Sequence, residues 1–242
     1  MSTGSPALER RLTHYRAASG DAIRLLHEKT LTPLECEPGA VLVRRGGTMT
    51  DFMIAESGWF VRSRYTRSGR RQIVNFVLPG DLMNPEVLAV TTSDHEISAL
   101  TAGTVSRIRR NDLHTLVQQD ANLGLVLWWS SAQEEGILRE HIVRVGRRPA
   151  VDRIAHMLLE LQRRLSLVED IDESSFTVPL TQTHIADSLG LSPVHVNRAM
   201  RQLMREGAID YDRSEVTIVN RSELAERVDF TTEHLHLDPL DG

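Results

Sequence analysis

The sequence predicts an α+β protein with an all-β N-terminal part, a long middle helix and a small helical C-terminal part that includes a β-hairpin. Three observations predict this class. β-Branched and aromatic runs separated by glycine turns fill residues 41–109. Good helix formers without a proline fill residues 111–147. Two further helices, each with a capping residue and joined by a glycine, are indicated within residues 181–205.

The composition limits the protein classes. The 242 residues are 40% hydrophobic, enough to bury a sizeable core. No apolar run could cross a membrane, and Met1 to Arg11 has no apolar stretch behind its charges, so we expect neither a membrane span nor a signal peptide but a cytoplasmic protein. The net charge of −5 argues against non-specific coating of nucleic acid.

The single cysteine, Cys36, excludes an intrachain disulfide and any site built on four thiolates of one chain. It lies between Glu35 and Glu37, whose negative charges would raise the thiol pKa. A redox switch at this cysteine is therefore disfavoured.

Five apolar runs and the turns between them predict the β-domain. The runs are Val41 to Val43, Phe52 to Ile54, Trp59 to Tyr65, Ile73 to Val77 and Val105 to Ile108. The turns contain Pro38-Gly39, Gly46-Gly47, Ser57-Gly58, Ser68-Gly69 and Pro79-Gly80. This spacing is typical of an antiparallel sandwich or barrel. We place the β-domain at residues 31–120, after a helical lead-in at residues 1–30.

One short helix and then a long helix at residues 121–147 are predicted next. Six positions of the long helix recur at alternating spacings of four and three, as in a coiled-coil seam: Leu127, Ser131, Glu134, Leu138, His141 and Val145. Half of them are polar, and a surface helix packed on its own β-domain has a similar spacing, so both interpretations stay open. Arg148-Pro149 ends the helix, because proline disfavours helical geometry in the residue before it. A hinge there divides the chain.

The C-terminal domain is predicted at residues 148–228. It begins with an amphipathic helix, Val151 to Leu167, followed by an acidic loop, Glu169 to Glu173. Its last part contains two short strands, Ala208 to Tyr211 and Glu215 to Val219, joined by a turn through Arg213. The tail at residues 229–242 has little apolar pattern and is predicted to be flexible.

The most specific motif is Gln182 to Arg201, QTHIADSLGLSPVHVNRAMR. A helix-turn-helix requires a small residue where its helices cross, a glycine in the turn and apolar residues that hold the second helix. Seven residues meet these requirements: Ile185, Ala186, Leu189, Gly190, Leu191, Val196 and Ala199. Thr181 can cap the first helix, and Ser192 followed by Pro193 can cap and begin the second. With the hairpin that follows, the sequence predicts a winged helix-turn-helix.

The exposed positions of this motif predict DNA recognition. The residues expected in the major groove are Pro193, Val194, His195, Asn197, Arg198 and Arg201, and the capping residue Ser192 is also expected to contact DNA. Arg198 suits guanine, Asn197 suits adenine and Val194 can touch a thymine methyl. Phosphate contacts are expected at Thr181, Gln182, Thr183 and Arg213. The alternative is a set of solvated polar residues on an ordinary helix pair, but three arginines against one acid within residues 180–205 favour DNA.

The order of β-domain, long helix, hinge and winged helix-turn-helix resembles the Crp/Fnr family of bacterial transcription regulators. The resemblance covers roughly Leu31 to Val219 and is most specific at Asp152 to Ala155, at the helix-turn-helix and at the turn Leu78 to Leu82. It implies a β-roll or jelly roll (double-stranded β-helix), no enzymatic activity, and a homodimer whose seam is the six-residue pattern of the long helix. A twofold dimer implies a palindromic double-stranded DNA site. An activator would also contact RNA polymerase.

The resemblance fails at the family's ligand pocket. Members that bind cyclic nucleotides carry a Gly-Glu-Leu stretch for the ribose and a later arginine for the cyclic phosphate. Here no arginine lies between Arg71 and Arg107, and Asp94 and Glu96 would lie near the phosphate instead. We therefore do not expect cyclic AMP or cyclic GMP. An unidentified effector, if there is one, would contact Gly80, Asp81, Leu82, Met83, Asn84 and Leu138.

No cofactor is predicted. One cysteine cannot hold the iron–sulfur cluster of the family's oxygen-sensing branch. Haem is an alternative with four candidate ligands: His14, His27, His95 and His114. Trp128 and Trp129 could line an apolar effector pocket or simply pack. A metal enzyme on a cupin-like barrel is excluded, because no histidine lies between His27 and His95. Control by the amount of protein, without an effector, also stays open.

Overall fold

The computed structural model describes residues 6–12, 20–169, 171 and 175–237. Its helices are α1 (Pro6–Leu12), α2 (Gly20–Glu28), α3 (Arg110–Gln119), α4 (Ala121–Arg147), α5 (Ala150–Leu165), α6 (Gln182–Leu189), α7 (Pro193–Arg205) and α8 (Arg221–Arg227). Its strands are β1 (Leu34–Cys36), β2 (Val41–Val43), β3 (Asp51–Ser57), β4 (Phe60–Tyr65), β5 (Arg71–Val77), β6 (Glu96–Ala99), β7 (Gly103–Arg109), β8 (Ser175–Thr177), β9 (Ile209–Asp212) and β10 (Glu215–Ile218). Short 3₁₀ helices lie at Pro85–Leu88 and Glu233–Leu235.

The β-domain consists of two antiparallel sheets, ordered β1-β7-β3 and β2-β6-β4-β5. All five apolar runs predicted as strands lie in strands, except that Trp59 comes just before β4. Each of the five predicted turns contains a glycine with a φ of 78° to 84°, a conformation that a side chain would disfavour. Glycine therefore fixes where these strands end.

The long helix and the hinge lie where the sequence predicted them. Helix α4 ends at Arg147 and α5 begins at Ala150, with extended backbone at Arg148 and Pro149 between them. The hinge is held by polar contacts. The Arg148 guanidinium pairs with Glu140 at 2.7 Å, and Arg153 donates to the Arg148 carbonyl at 2.8 Å.

The four-stranded sheet is buried on both faces. Along β4, Phe60 packs into the core of the β-domain, whereas Trp59 and Val61 pack into a second core. That second core also contains Ile73 and Phe76 of β5 together with the apolar side chains of α5, α6, α7 and α8. Because side chains alternate between the two faces of a strand, one face of this sheet packs in the β-domain and the other packs against the C-terminal domain.

The segment predicted as a flexible tail is packed over its described part, residues 229–237. Leu235 is fully buried, the Trp129 indole donates to the His236 carbonyl at 2.9 Å, and Gln133 donates to the Leu235 carbonyl at 2.5 Å. Gly136 of α4 permits this close approach, since a Cβ there would lie 2.2 Å from the His234 carbonyl oxygen. Side chains of α4, which is distant in sequence, thus hold residues 229–237 in place, although this segment has little apolar pattern of its own.

Candidate DNA-binding interface

The two helices of the helix-turn-helix begin at capping side chains. The Thr181 hydroxyl accepts from the His184 amide, and the His184 ring accepts from the Thr181 amide, which forms a capping box. The Ser192 hydroxyl accepts from the His195 amide, with Pro193 in the first turn of α7. Gly190 ends α6 with a φ of 65°. These local signals agree with the caps and the turn that the sequence predicted.

Apolar side chains fix the angle between α6 and α7. Five of the seven residues predicted to hold the motif together are buried: Ile185, Ala186, Leu189, Val196 and Ala199. Leu191 is partly buried against the same core, and Gly190 forms the turn. The opposite face of α7 is therefore left to the solvent.

The predicted DNA contacts lie on that open face and beside it. Exposed positions are Thr181, Gln182, Thr183, Ser192, Pro193, Val194, His195, Arg198, Arg201 and Arg213, and Asn197 is half-buried. Val194 is 68% exposed, so its side chain is open to a partner on this face. A shallow groove on α7 brings Val194, Asn197, Arg198 and Arg201 together.

The same groove includes Arg205, which the sequence analysis did not assign to the site. The signal was present: Arg201 and Arg205 are four residues apart and so lie on one side of a helix. The Arg205 guanidinium also donates to the Arg201 carbonyl at 3.3 Å. The face thus carries three arginines in addition to Asn197.

The wing is a three-stranded antiparallel sheet ordered β8-β10-β9. Arg213 lies in the turn between β9 and β10 with a φ of 57°. The sequence predicted β9 and β10 but not β8. That strand has only three residues, too few for a clear pattern, and it forms by pairing with β10. The predicted loop Glu169 to Glu173 lies only partly within the described residues.

The turn Gly80 to Leu82, where the resemblance to the family implies a ligand pocket, is packed by the protein's own side chains. A cavity of about 20 Å³, room for roughly one water molecule, remains there. Three arginines from distant parts of the chain surround it: Arg11 of α1, Arg62 of β4 and Arg164 of α5. None of the three was predicted from the sequence, because the family's phosphate arginine is expected only after the turn.

Of the six predicted effector contacts, only Asp81 and Leu82 line this cavity. Gly80 packs against α1, where a Cβ would meet the Ala7 carbonyl oxygen at 2.7 Å. The Met83 carbonyl accepts from Arg62, and the Asn84 side chain accepts from the Met53 amide at 2.8 Å. Leu138 lies outside the lining, which α4 supplies through Ser130, Gln133, Glu134 and Ile137. These turn residues bind their own chain.

Asp81 is the centre of a buried charge cluster that joins the two domains. Its carboxylate pairs with Arg11 at 2.7 Å and with Arg164 at 2.7 Å, and it accepts from the Leu78 amide. Burial raises the pKa of Asp81, but Arg11 and Arg164 outweigh it, so the pKa lies below its ordinary value. Because Arg164 belongs to α5, this carboxylate fixes the C-terminal domain to the β-domain.

A second buried cluster lies next to the hinge. Glu160 of α5 pairs with Arg144 of α4 and lies 3.1 Å from the His234 ring. Burial raises the pKa of Glu160, but Arg144 and His234 together lower it below the ordinary range. Burial and the Arg144 charge lower the pKa of His156 to about 3 and that of His141 to about 4, so both rings are neutral at pH 7.

The three candidate haem ligands within the described residues lie on separate segments of the chain. His95 pairs with Asp94 at 2.9 Å, the His27 ring lies 3.9 Å from Glu9, and His114 is exposed on α3. His14 lies outside the described residues. Within the described part of the chain, no three histidine, cysteine or acidic side chains are placed to hold a metal ion. Burial and then the Glu35 charge raise the pKa of the Cys36 thiol.

The residues predicted as a dimer seam are buried or partly buried within the protomer. Leu127 is 5% exposed, His141 is 8% exposed and Glu134 pairs with Arg62. Ser131, Leu138 and Val145 are partly buried. Another stripe of α4 has the same alternating spacing and is exposed except at the half-buried Ala132: Leu125, Trp128, Ala132, Glu135, Arg139 and Ile142. Trp128, offered above as a pocket or packing residue, is 73% exposed there.

Comparison with known proteins gives two domain matches and several relatives. Residues 33–120 match the cyclic nucleotide-binding domain, and residues 152–227 match the Crp-like helix-turn-helix domain. The chain is 29% identical over 198 residues to the nitrogen fixation regulation protein FixK of Azorhizobium caulinodans, with 78% of each chain covered. It is 27% identical over 186 residues to the transcriptional activator protein FnrL of Cereibacter sphaeroides, with 76% of this chain and 74% of FnrL covered.

A solved structure supports the same similarity. FixK2 from Bradyrhizobium japonicum superposes with a TM-score of 0.75 at 25% identity, covering 83% of this chain and 98% of FixK2. Among the described residues, no helix combines the length and the apolar character needed to span a bilayer.

Proposed function

The chain belongs to the Crp/Fnr family of transcription regulators, and from this membership we propose that it binds a palindromic DNA site as a homodimer and regulates the promoter there. The recognition face of α7 carries the proposal. Asn197, Arg198, Arg201 and Arg205 lie together on a helix whose other face is buried. Since promoters are in the cytoplasm of a bacterium, the protein would act there.

The residues on this face support a DNA target sequence that differs from the best-known half-sites of the family. Arginine can bind guanine through two hydrogen bonds, asparagine can bind adenine in the same way, and an aliphatic side chain can contact a thymine methyl. Val194 stands where regulators of the best-known family half-sites have a glutamate. We infer that Arg198 and Asn197 read base edges, whereas Thr181, Gln182, Thr183 and Arg213 hold the backbone.

Replacing Arg198 by alanine tests this assignment. We expect a loss of about 1–3 kcal/mol for each half-site, because a bidentate arginine–guanine contact has that value. Specific binding to a duplex selected by the wild-type protein should then approach non-specific binding, as measured by fluorescence anisotropy. Arg45→Ala, which removes an exposed arginine of the β-domain, is the matched control. Unchanged specificity in Arg198→Ala would contradict the assignment.

We place the dimer interface on the exposed stripe of α4. Ile142 is 67% exposed and Leu125 is 44% exposed, in line with the more exposed Trp128. Alternating spacings of three and four align such residues along one side of a helix, as in a two-helix coiled coil. Since FnrL is named as an activator, we further infer contact with RNA polymerase.

We propose that the β-domain works without a cyclic nucleotide. Ligand pockets for small molecules usually measure about 300–1,000 Å³, whereas about 20 Å³ is left at the turn. The arginines that could neutralise a phosphate are engaged by Asp81 and Glu134. Both observations argue against a cyclic phosphate at this turn.

A thermal-shift measurement with cyclic AMP and cyclic GMP tests this part of the proposal. A ligand at about 100 times its Kd adds roughly 2.7 kcal/mol to the free energy of unfolding, which raises the Tm by several degrees. We expect no such rise at millimolar nucleotide. A rise that grows with the logarithm of nucleotide concentration would show that the buried arginines exchange partners for a ligand, and would overturn the proposal.

A further inference from the structure

The turn between β4 and β5 concentrates positive charge on a chain whose net charge is −5. Four of the eight residues at positions 64–71 are arginine and none is acidic. Arg64 pairs with Asp94, and Arg71 pairs with Asp187. Arg67 and Arg70 are exposed, and the described part of the chain offers neither of them an ion pair. Their charges are therefore available to an anionic partner.

The turn holds these two arginines in a fixed arrangement. The Thr66 amide donates to the Arg70 carbonyl at 2.9 Å, and the Gly69 amide donates to the Thr66 carbonyl at 3.0 Å. Gly69 has a φ of 80°, which suits this tight turn. A hairpin that is ordered before it binds loses less conformational entropy than a flexible loop would.

The base of this hairpin is attached to the helix-turn-helix. At the start of β5, the Arg71 guanidinium contacts the Asp187 carboxylate at 2.8 Å, and the Gln72 side-chain amide donates to the Ser188 carbonyl at 2.7 Å. Burial and the Arg71 charge lower the pKa of His184, which lies one turn earlier on α6. Residues 66–70 thus extend the sheet at the end that touches α6.

We propose that Arg67 and Arg70 bind the phosphate backbone of the DNA that flanks each half-site. The inference rests on the proposed DNA-binding function, because the first helix of a helix-turn-helix crosses the backbone and the hairpin is fixed to that helix. Phosphate contacts by exposed arginines add affinity and salt dependence without adding sequence preference. The β-domain thereby extends the DNA-binding surface beyond the C-terminal domain.

The test compares the wild-type protein with the double variant Arg67→Gln/Arg70→Gln. Binding is measured as a function of salt on two duplexes with the sequence selected by the wild-type protein, one trimmed to the half-sites and one extended by about one helical turn on each side. On the extended duplex, the log–log salt slope of the variant dimer should fall by roughly 3 to 4, at about 0.9 for each phosphate that is no longer neutralised. On the trimmed duplex, the two proteins should have the same slope.

Arg44→Gln/Arg45→Gln is the matched control. These two exposed arginines follow β2, at the opposite edge of the four-stranded sheet from β5, and should leave both slopes unchanged. Equal slopes for wild type and the 67/70 variant on the extended duplex would overturn the inference. So would a variant that binds both duplexes normally but loses transcription in vitro, since the hairpin would then serve a protein partner. If the wild-type protein selected no duplex at all, the proposed function itself would fail.

Discussion

Trp128→Glu is expected to convert the dimer into monomers and to abolish specific binding to a palindromic site. Trp128 is the most exposed of the large apolar side chains on α4 and lies in line with Leu125 and Ile142. Burying a tryptophan removes about 150–250 Å² from water, which is worth about 4–6 kcal/mol at roughly 25 cal/mol per Å². A buried glutamate would add a desolvation cost. The dimer dissociation constant should therefore rise by about a thousandfold or more.

Sedimentation velocity at micromolar concentration measures the change in mass, and anisotropy on the selected duplex measures the loss of binding. Val90→Glu is the matched control, since Val90 is 45% exposed but belongs to the β-domain. Circular dichroism should show a native helix content in both variants, because neither site is part of a protomer core. A Trp128→Glu protein that stays dimeric would move the interface away from this stripe.

Asp81→Asn is expected to lower the free energy of unfolding by about 3–5 kcal/mol, the usual cost of removing one partner of a buried ion pair. Asparagine keeps the size of the side chain and an acceptor for the Leu78 amide, but it leaves Arg11 and Arg164 in the protein interior without their carboxylate. Asp94→Asn is the matched control, because its pair with Arg64 is exposed and should be worth within about 1 kcal/mol. Urea unfolding compares the two variants.

The pH dependence of stability gives an independent check on Asp81. Its pKa is lowered in the folded protein, so its contribution is fully present above the unfolded value of about 3.9 and is lost as the pH falls through the folded value. Wild-type stability should therefore decline on acidification below about pH 4, and the decline should be shallower in Asp81→Asn. Identical acid profiles would show that another group, such as Glu160, governs acid unfolding.

Features decided by neighbouring residues could be predicted from the sequence. The turn glycines of the β-domain and the caps Thr181 and Ser192 act through local backbone geometry, and the structure has them where they were expected. The helix-turn-helix template also fixed which side of α7 is exposed. Strand β6 was not predicted, because Glu96 and Ser98 interrupt its apolar pattern and the strand is held by pairing with β2 and β4.

Contacts between distant segments could not be predicted. Arg11 and Arg164 meet at Asp81 across 70 and 83 positions of the chain, and no local pattern marks them as partners. Spacing along α4 could not decide between the two faces of this helix for a related reason. Alternating spacings of three and four occur on both sides of α4, and only the packed protomer shows that Leu127 and His141 are buried in it.

The sheet with two buried faces limits how this regulator can be recombined with its relatives. Trp59, Val61, Ile73 and Phe76 belong to the β-domain in sequence but complete the core of the DNA-binding domain. A chimera joined at the hinge would therefore mismatch two surfaces that were selected together, even if each half came from a well-folded parent. The two domains share one hydrophobic core and therefore evolve together. Substitutions on the outer face of β4 and β5 should be accompanied by changes in α5 and α6.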